Sequence, residues 1–159
     1  KRIVKRILIV EDEPLTAFDN ETMLEEAGYI VVATHDRYAD AVATLGREKV
    51  DLILSDIRLA GERSGLDLAR FAKEKSVPVL FSTGAAPDEA SELGVGCLMK
   101  PYNDRTLKAA LALIPGVPTV VLEIRDAEAD RASGKHLNRL RFSRSSFQRP
   151  ARCKDGMRP

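Results

Sequence analysis

The chain has 159 residues, 44% of them hydrophobic, which suits one domain with a real core and a short appendage and leaves little room for a second full domain. No apolar run approaches the roughly 20 residues that cross a bilayer, and the apolar stretch after Lys1-Arg2 is too short and strand-like for a signal peptide, so a soluble, unexported, cytoplasmic protein without membrane contact is expected. The net charge of +1 conceals two parts: residues 1–116 carry 15 Lys/Arg against 19 Asp/Glu, a balance of −4, and residues 117–159 carry 10 against 5, a balance of +5.

From Arg6 to Ile114, compact apolar runs of strand length alternate with helical spacing, the pattern of βαβ units. Ile7-Leu8-Ile9-Val10 predicts a strand over 6–10 that ends in Glu11-Asp12. Pro14 fits the first turn of a helix over 14–27, where its missing N–H costs nothing, and Gly28 fits a left-handed stop after Ala27. Leu15, Phe18, Met23 and Leu24 are expected to form the buried stripe of that helix, with Glu21, Glu25 and Glu26 in water.

A strand over 29–34 and a helix over 37–48 follow. Asp51-Leu52-Ile53-Leu54-Ser55 reads as a central strand buried on both faces, within 50–55, and Asp56 ends it. After a helix over 64–75, the run around Val79-Leu80-Phe81-Ser82 predicts a strand over 77–82 followed by Thr83-Gly84. Pro87 is expected to open a helix over 87–93. A strand over 96–99 ends at Lys100-Pro101, and Asp104 is the expected N-cap of a helix over 104–114 in which Leu107, Leu111 and Ile114 recur at i, i+4 and i+7.

Pro115-Gly116-Val117-Pro118 closes the pattern, which predicts a compact domain over 1–116 and an extension over 117–159. Thr119 to Ile124 can supply one further strand, and from Asp126 the sequence turns polar, with part of 126–159 expected to be disordered in isolation. The five rounds predict an α/β fold with a doubly wound, five-stranded parallel sheet.

In such a sheet all strand ends emerge at one carboxyl edge, where open α/β folds bind ligands. Glu11, Asp12 and Asp56 bring three carboxylates there, and such a cluster needs a cation or a proton to offset its repulsion. Magnesium suits it, being a hard ion held by one or two carboxylates, water and phosphate oxygen. The carboxylate of Asp56 can attack phosphorus and become an acyl phosphate, Thr83 can donate to a phosphoryl oxygen, and the Lys100 ammonium can pair with either. Each residue has a plainer reading: acids suit a helix N-terminus, Asp a turn, Thr a helix cap and Lys a loop. Their joint placement at successive strand ends favours the phosphoryl reading. Cys97 and Cys153 read as thiols of a reducing compartment, and His35 and His136 lack metal or dyad spacing.

The ordered set Ile7-Leu8-Ile9-Val10-Glu11-Asp12-Glu13-Pro14, Asp51-Leu52-Ile53-Leu54-Ser55-Asp56-Ile57-Arg58-Leu59 and Met99-Lys100-Pro101-Tyr102 resembles the response-regulator receiver domain of two-component signalling over roughly residues 5–115. The resemblance implies a flavodoxin-like strand order, 2-1-3-4-5. It also implies that Asp56 takes a phosphoryl group from a histidine kinase or histidine phosphotransfer protein. Glu11 and Asp12 would form the acidic magnesium pocket, with Asp12, Asp56 and the backbone carbonyl of Arg58 as protein ligands, while Thr83 and Lys100 would read the phosphorylated state. A signalling module acting on an unidentified output protein is therefore expected, through the face of the fourth helix, fifth strand and fifth helix. It would catalyse only its own phosphorylation and dephosphorylation.

Two positions depart from the family pattern. Cys97 stands where receivers carry an aromatic switch residue, with Tyr102 a less favoured substitute, and Phe81-Ser82-Thr83-Gly84 resembles the Phe-Ala-Thr-Gly variant of a receiver subgroup. Cys97 also leaves open a receiver that works without phosphate. A phosphatase of the haloacid-dehalogenase type is disfavoured, because the general acid it needs two positions after the nucleophile is replaced by Arg58. In the extension, Lys135, Arg139, Arg141, Arg144, Arg149, Arg152, Lys154 and Arg158 with Phe142 and Phe147 read as a solvated tail in preference to a nucleic-acid contact. A dimer-forming or partner-binding role is a further alternative, so both monomer and homodimer stay open.

Overall fold

A computed structural model describes residues 3–114 and the pair Glu123–Ile124. Strands and helices alternate throughout: β1 (Arg6–Val10), α1 (Pro14–Glu26), β2 (Ile30–His35), α2 (Tyr38–Arg47), β3 (Leu52–Ser55), α3 (Gly65–Glu74), β4 (Val79–Thr83), α4 (Ala90–Leu93), β5 (Gly96–Met99), α5 (Asp104–Leu113) and β6 (Glu123–Ile124). The strands form one parallel sheet in the order β2-β1-β3-β4-β5-β6. The doubly wound five-stranded sheet read from the sequence is thus present. A two-residue sixth strand from the 119–124 stretch extends it, pairing with Cys97 and Leu98. The Pro115–Pro118 breaker, the tail from Asp126, His136 and Cys153 lie outside the described residues.

Alternation along the strands divides the core in two. Leu8, Val10, Ile53, Val79, Phe81 and Cys97 point to one face, where Ala41 of α2, Leu68, Ala69 and Ala72 of α3, and Ala90 of α4 cover them. Ile7, Ile9, Leu52, Leu54, Leu80 and Leu98 point to the other, under Leu24 of α1 and Leu107, Ala110 and Leu111 of α5. β3 lies between β1 and β4 with all four residues buried, as a continuous apolar run requires. Among the described residues no helix is long and apolar enough to cross a membrane.

Helix boundaries follow local chemistry, with some corrections to the sequence reading. Pro14 opens α1, Glu13 caps it by accepting from the Thr16 amide at 2.8 Å, and Gly28 turns the chain out at φ +88°. The expected buried stripe of α1 is wrong for two residues: Leu15 is 74% and Phe18 67% exposed, and Ala17, Asn20 and Leu24 face the sheet instead. At 100° per residue, Leu15 lies about 200° from Ala17 and about 180° from Leu24, so these apolar residues never shared one face. Glu25 and Glu26 are exposed, but Glu21 is half-buried and accepts a 3.0 Å hydrogen bond from the Thr34 hydroxyl.

At α5 the cap is Asn103, not Asp104. Asn103 keeps extended backbone angles and accepts from the Thr106 amide at 3.0 Å, whereas Asp104 is already helical and pairs with Lys108 at 3.1 Å. Pro87 does not open α4 directly; its carbonyl closes a turn onto the Ala90 amide, and the helix is a single turn ended at Gly94.

Candidate functional site

The carboxyl ends of β1, β3, β4 and β5 present the chemistry anticipated from the sequence. Backbone bonds that continue the ladder hold each segment: the Glu11 amide donates to the His35 carbonyl at 2.8 Å, Asp56 to Val10 at 2.9 Å and Lys100 to Thr83 at 2.9 Å. The acids and the amine are thereby fixed relative to one another by the sheet itself.

Lys100 joins two of the acids. Its Nζ donates to Glu11 Oε2 at 2.7 Å and to Asp56 Oδ2 at 2.9 Å. The other oxygens have donors too, since Asp56 Oδ1 accepts from the amides of Ile57 at 2.6 Å and Arg58 at 3.3 Å, and Glu11 Oε1 from the Glu13 amide at 3.1 Å. Asp12 is exposed, and one carboxylate oxygen each from Glu11, Asp12 and Asp56 lie within 4.8 Å of one another. The plainer reading of these acids as a helix-start cluster holds for Glu13, which caps α1, while Glu11 and Asp56 turn to Lys100.

Burial is the largest influence on Glu11 and raises its carboxyl above the ordinary value, with the nearby Asp56 charge adding to that; hydrogen bonds from Lys100 and the Glu13 amide only partly offset it. For Lys100, burial pulls the ammonium down, but the bonds to Glu11 and Asp56 outweigh it and hold the amine charged. With all three acids ionised, one ammonium leaves two negative charges uncompensated. A hard oxygen-only donor set with surplus negative charge suits magnesium.

Thr83 stands at the end of β4, buried, and both of its hydroxyl bonds run to Ala85, donating to the carbonyl at 3.1 Å and accepting from the amide at 3.3 Å. Cys97 packs on the α2–α4 face beside the Phe81 cluster. Tyr102 lies on the opposite face, half-buried against the α1–α5 core.

Three supporting residues escaped the sequence reading. Ser55, fully buried, donates to the Asp56 carbonyl at 2.7 Å. Gly65 lies so close that a Cβ there would stand 2.0 Å from the same carbonyl oxygen. Asn20, on the buried face of α1, accepts from the Tyr102 hydroxyl. A polar residue inside an otherwise buried stripe was the available signal for Ser55 and Asn20; for Gly65 there was none beyond its place at a helix start.

A family model described as the response regulator receiver domain matches residues 7–112. The phyllosphere-induced regulator PhyR of Methylorubrum extorquens is 43% identical over 116 residues, 67% of this chain and 42% of that protein. The transcriptional activator protein IrlR of Burkholderia pseudomallei is 35% identical over 137 residues, 79% of this chain and 58% of that protein. The chain thus spans about half the length of the curated relatives it matches. Among solved structures, the signal receiver domain of a modulated diguanylate cyclase from Desulfovibrio desulfuricans G20 matches with a TM-score of 0.64 at 30% identity, covering 69% of this chain and 92% of that one.

Proposed function

The chain belongs to the response-regulator receiver family, and on that premise we propose that it is a phosphoacceptor of a two-component relay in which Asp56 is the residue modified. The observation that carries this reading is the Lys100 ammonium shared between Asp56 and Glu11, beside a third carboxylate, Asp12, at the edge where β1, β3 and β5 end.

One carboxylate oxygen of Asp56 attacks the phosphorus of a phosphohistidine or of a small phosphodonor. A P–O bond forms to Asp56, the P–N or P–O bond to the donor breaks, and the leaving imidazole or acetate keeps the electron pair. Amides of Ile57 and Arg58 orient the Asp56 carboxylate before reaction. The ammonium of Lys100 offsets negative charge on the transferring group without forming a bond to it. Asp12, Asp56 and the Arg58 carbonyl, with Glu11 in the surrounding acidic shell, would hold magnesium, which would neutralise charge on the phosphoryl oxygens.

In the phosphorylated state the Thr83 hydroxyl leaves Ala85 to donate to a phosphoryl oxygen, and Lys100 pairs with another. Cys97 cannot supply an aromatic ring to follow Thr83, so the change passes to neighbouring elements by other contacts. The reading makes the protein a cytoplasmic signalling module whose phosphodonor is a histidine kinase or phosphotransfer protein, and whose output is a protein contact. It catalyses only its own phosphorylation and dephosphorylation. Residues 1–116 form the receiver and 117–159 a basic extension with a net charge of +5.

Incubation with acetyl phosphate and magnesium tests the site. One phosphoryl group per chain is expected on the wild type, none on Asp56→Asn, and none on the wild type after magnesium is chelated. Wild-type labelling of Asp56→Asn would overturn the assignment.

A further inference from the structure

Tyr102 lies two residues beyond Lys100, and its hydroxyl sits between two polar side chains that the proposed chemistry leaves unused. Tyr102 Oη donates to Asn20 Oδ1 of α1 at 2.8 Å, and Ser82 Oγ of β4 lies 2.8 Å from the same phenol oxygen. A phenol has a single proton. With that proton given to Asn20, Ser82 is the donor in the second bond.

Asn20 and Ser82 are each 1% exposed, and among the described residues no buried side-chain polar atom lacks a partner. The surrounding face is apolar, formed by Ile9, Leu54 and Leu98 with α1 and α5 above them. Leucine, alanine and phenylalanine at positions 20, 82 and 102 would fill that space with no polar group to satisfy. What the polar trio adds is orientation, because hydrogen bonds constrain distance and angle where apolar contacts constrain neither closely.

Two members of the trio are chain neighbours of the site. Ser82 precedes Thr83, Tyr102 follows Lys100-Pro101, and the Lys100 amide already donates to the Thr83 carbonyl at 2.9 Å. The ends of β4 and β5 are therefore joined twice, once through the backbone and once through Ser82 and Tyr102, and Asn20 anchors the second joint to α1. Cys97 packs in the cluster on the other face of the sheet, so Tyr102 does not share its surroundings.

We propose that Tyr102 is a positioning residue whose hydroxyl, held by Asn20 and Ser82, fixes the segment that carries Lys100 and so keeps the Lys100 ammonium on Asp56 and Glu11. The proposal rests on the reading of Asp56 as phosphoacceptor only for its effect on rate; the placement of Lys100 is measured separately.

The test compares wild type with Tyr102→Phe at one fixed pH, using 13C-lysine-labelled protein and acetyl phosphate with magnesium. The Lys100 ε-methylene resonance, assigned by its disappearance in Lys100→Met, is expected to move toward those of the exposed lysines. The rate of Asp56 labelling falls roughly five- to tenfold with unchanged half-saturation by acetyl phosphate, short of the roughly hundredfold that an ångström of misplacement costs. Asn20→Leu combined with Tyr102→Phe is no slower than Tyr102→Phe alone, because the residues act as one unit. If Tyr102→Phe fails to fold, Ser82→Ala and Asn20→Leu each remove one bond while keeping the ring, and the same shift of the Lys100 resonance is expected. An unmoved Lys100 resonance in Tyr102→Phe, or in both replacements, overturns the proposal whatever the rate. Absence of labelling in the wild type would instead sink the phosphoacceptor reading, and the resonance would still decide the role of Tyr102.

Discussion

Glu11 Oε2 and Lys100 Nζ lie 2.7 Å apart although 89 residues separate them along the chain. The contact exists because β1 and β5 end at the same edge of the sheet, and it is electrostatically incomplete: burial holds the Glu11 carboxyl above its ordinary value even with Lys100 beside it. Between the unfolded value near 4.5 and that raised value, the folded chain binds more protons than the unfolded one, so this group makes stability fall as pH climbs through the window. Glu11→Gln removes the buried charge and keeps an oxygen for Lys100, at the pH-independent cost of the bond that Oε1 accepts from the Glu13 amide. Urea denaturation should therefore show the variant gaining on wild type as pH rises from about 4 toward 7. An advantage that grows toward acid pH would contradict this. Lys100, whose value is raised, keeps its own contribution below about pH 10.5 and loses it as pH rises through the folded value.

Gly65 makes a second prediction. A Cβ at this position would stand 2.0 Å from the Asp56 carbonyl oxygen and 2.9 Å from the Ile57 Cα, both backbone atoms that cannot turn aside. Gly65 also donates its amide to the Ile57 carbonyl at 2.7 Å, so the start of α3 is pinned where a side chain has no room. Gly65→Ala must push α3 away from the end of β3, at a cost of about 1–3 kcal/mol. Because the displaced atoms belong to Asp56 and Ile57, the variant should also accept phosphate from acetyl phosphate more slowly than its residual folded fraction explains. Wild-type stability in urea would show that the helix moves freely.

These residues also mark how far sequence carries. The sheet was legible because its signal is repeated: the runs at Ile7-Leu8-Ile9-Val10 and Leu52-Ile53-Leu54 are short, buried and separated by stretches of helical spacing, as central parallel strands are. The acids and Lys100 were legible as a set because parallel strands force their ends to one edge. Contacts through space were not. Nothing local to Gly65 announces the Asp56 carbonyl, and Tyr102 reads as an aromatic after Lys-Pro until Asn20 and Ser82 are seen around it. The cap of α5 was missed by one residue because Asn103 and Asp104 are equally good caps by type, and only backbone angles separate them.

Helix α1 supplies the third prediction, and it separates apolar character from burial. The sequence offers Leu15, Phe18, Met23 and Leu24 for the core, yet only Leu24 is fully buried, alongside the small Ala17 and the polar Asn20. The reason is geometric: Ala17, Asn20 and Leu24 fall within about 60° of one another around the helix axis, while Leu15 and Phe18 lie on the far side. Leu24→Ala leaves a cavity under the sheet and should cost about 2–5 kcal/mol. Leu15→Ser and Phe18→Ser remove side chains that are 74% and 67% exposed, and each should change stability by no more than about 0.5 kcal/mol. Urea denaturation of the three variants decides the matter. A loss at Leu15 comparable to that at Leu24 would mean that α1 is rotated by about half a turn from the orientation described. Asn20 would then no longer reach Tyr102.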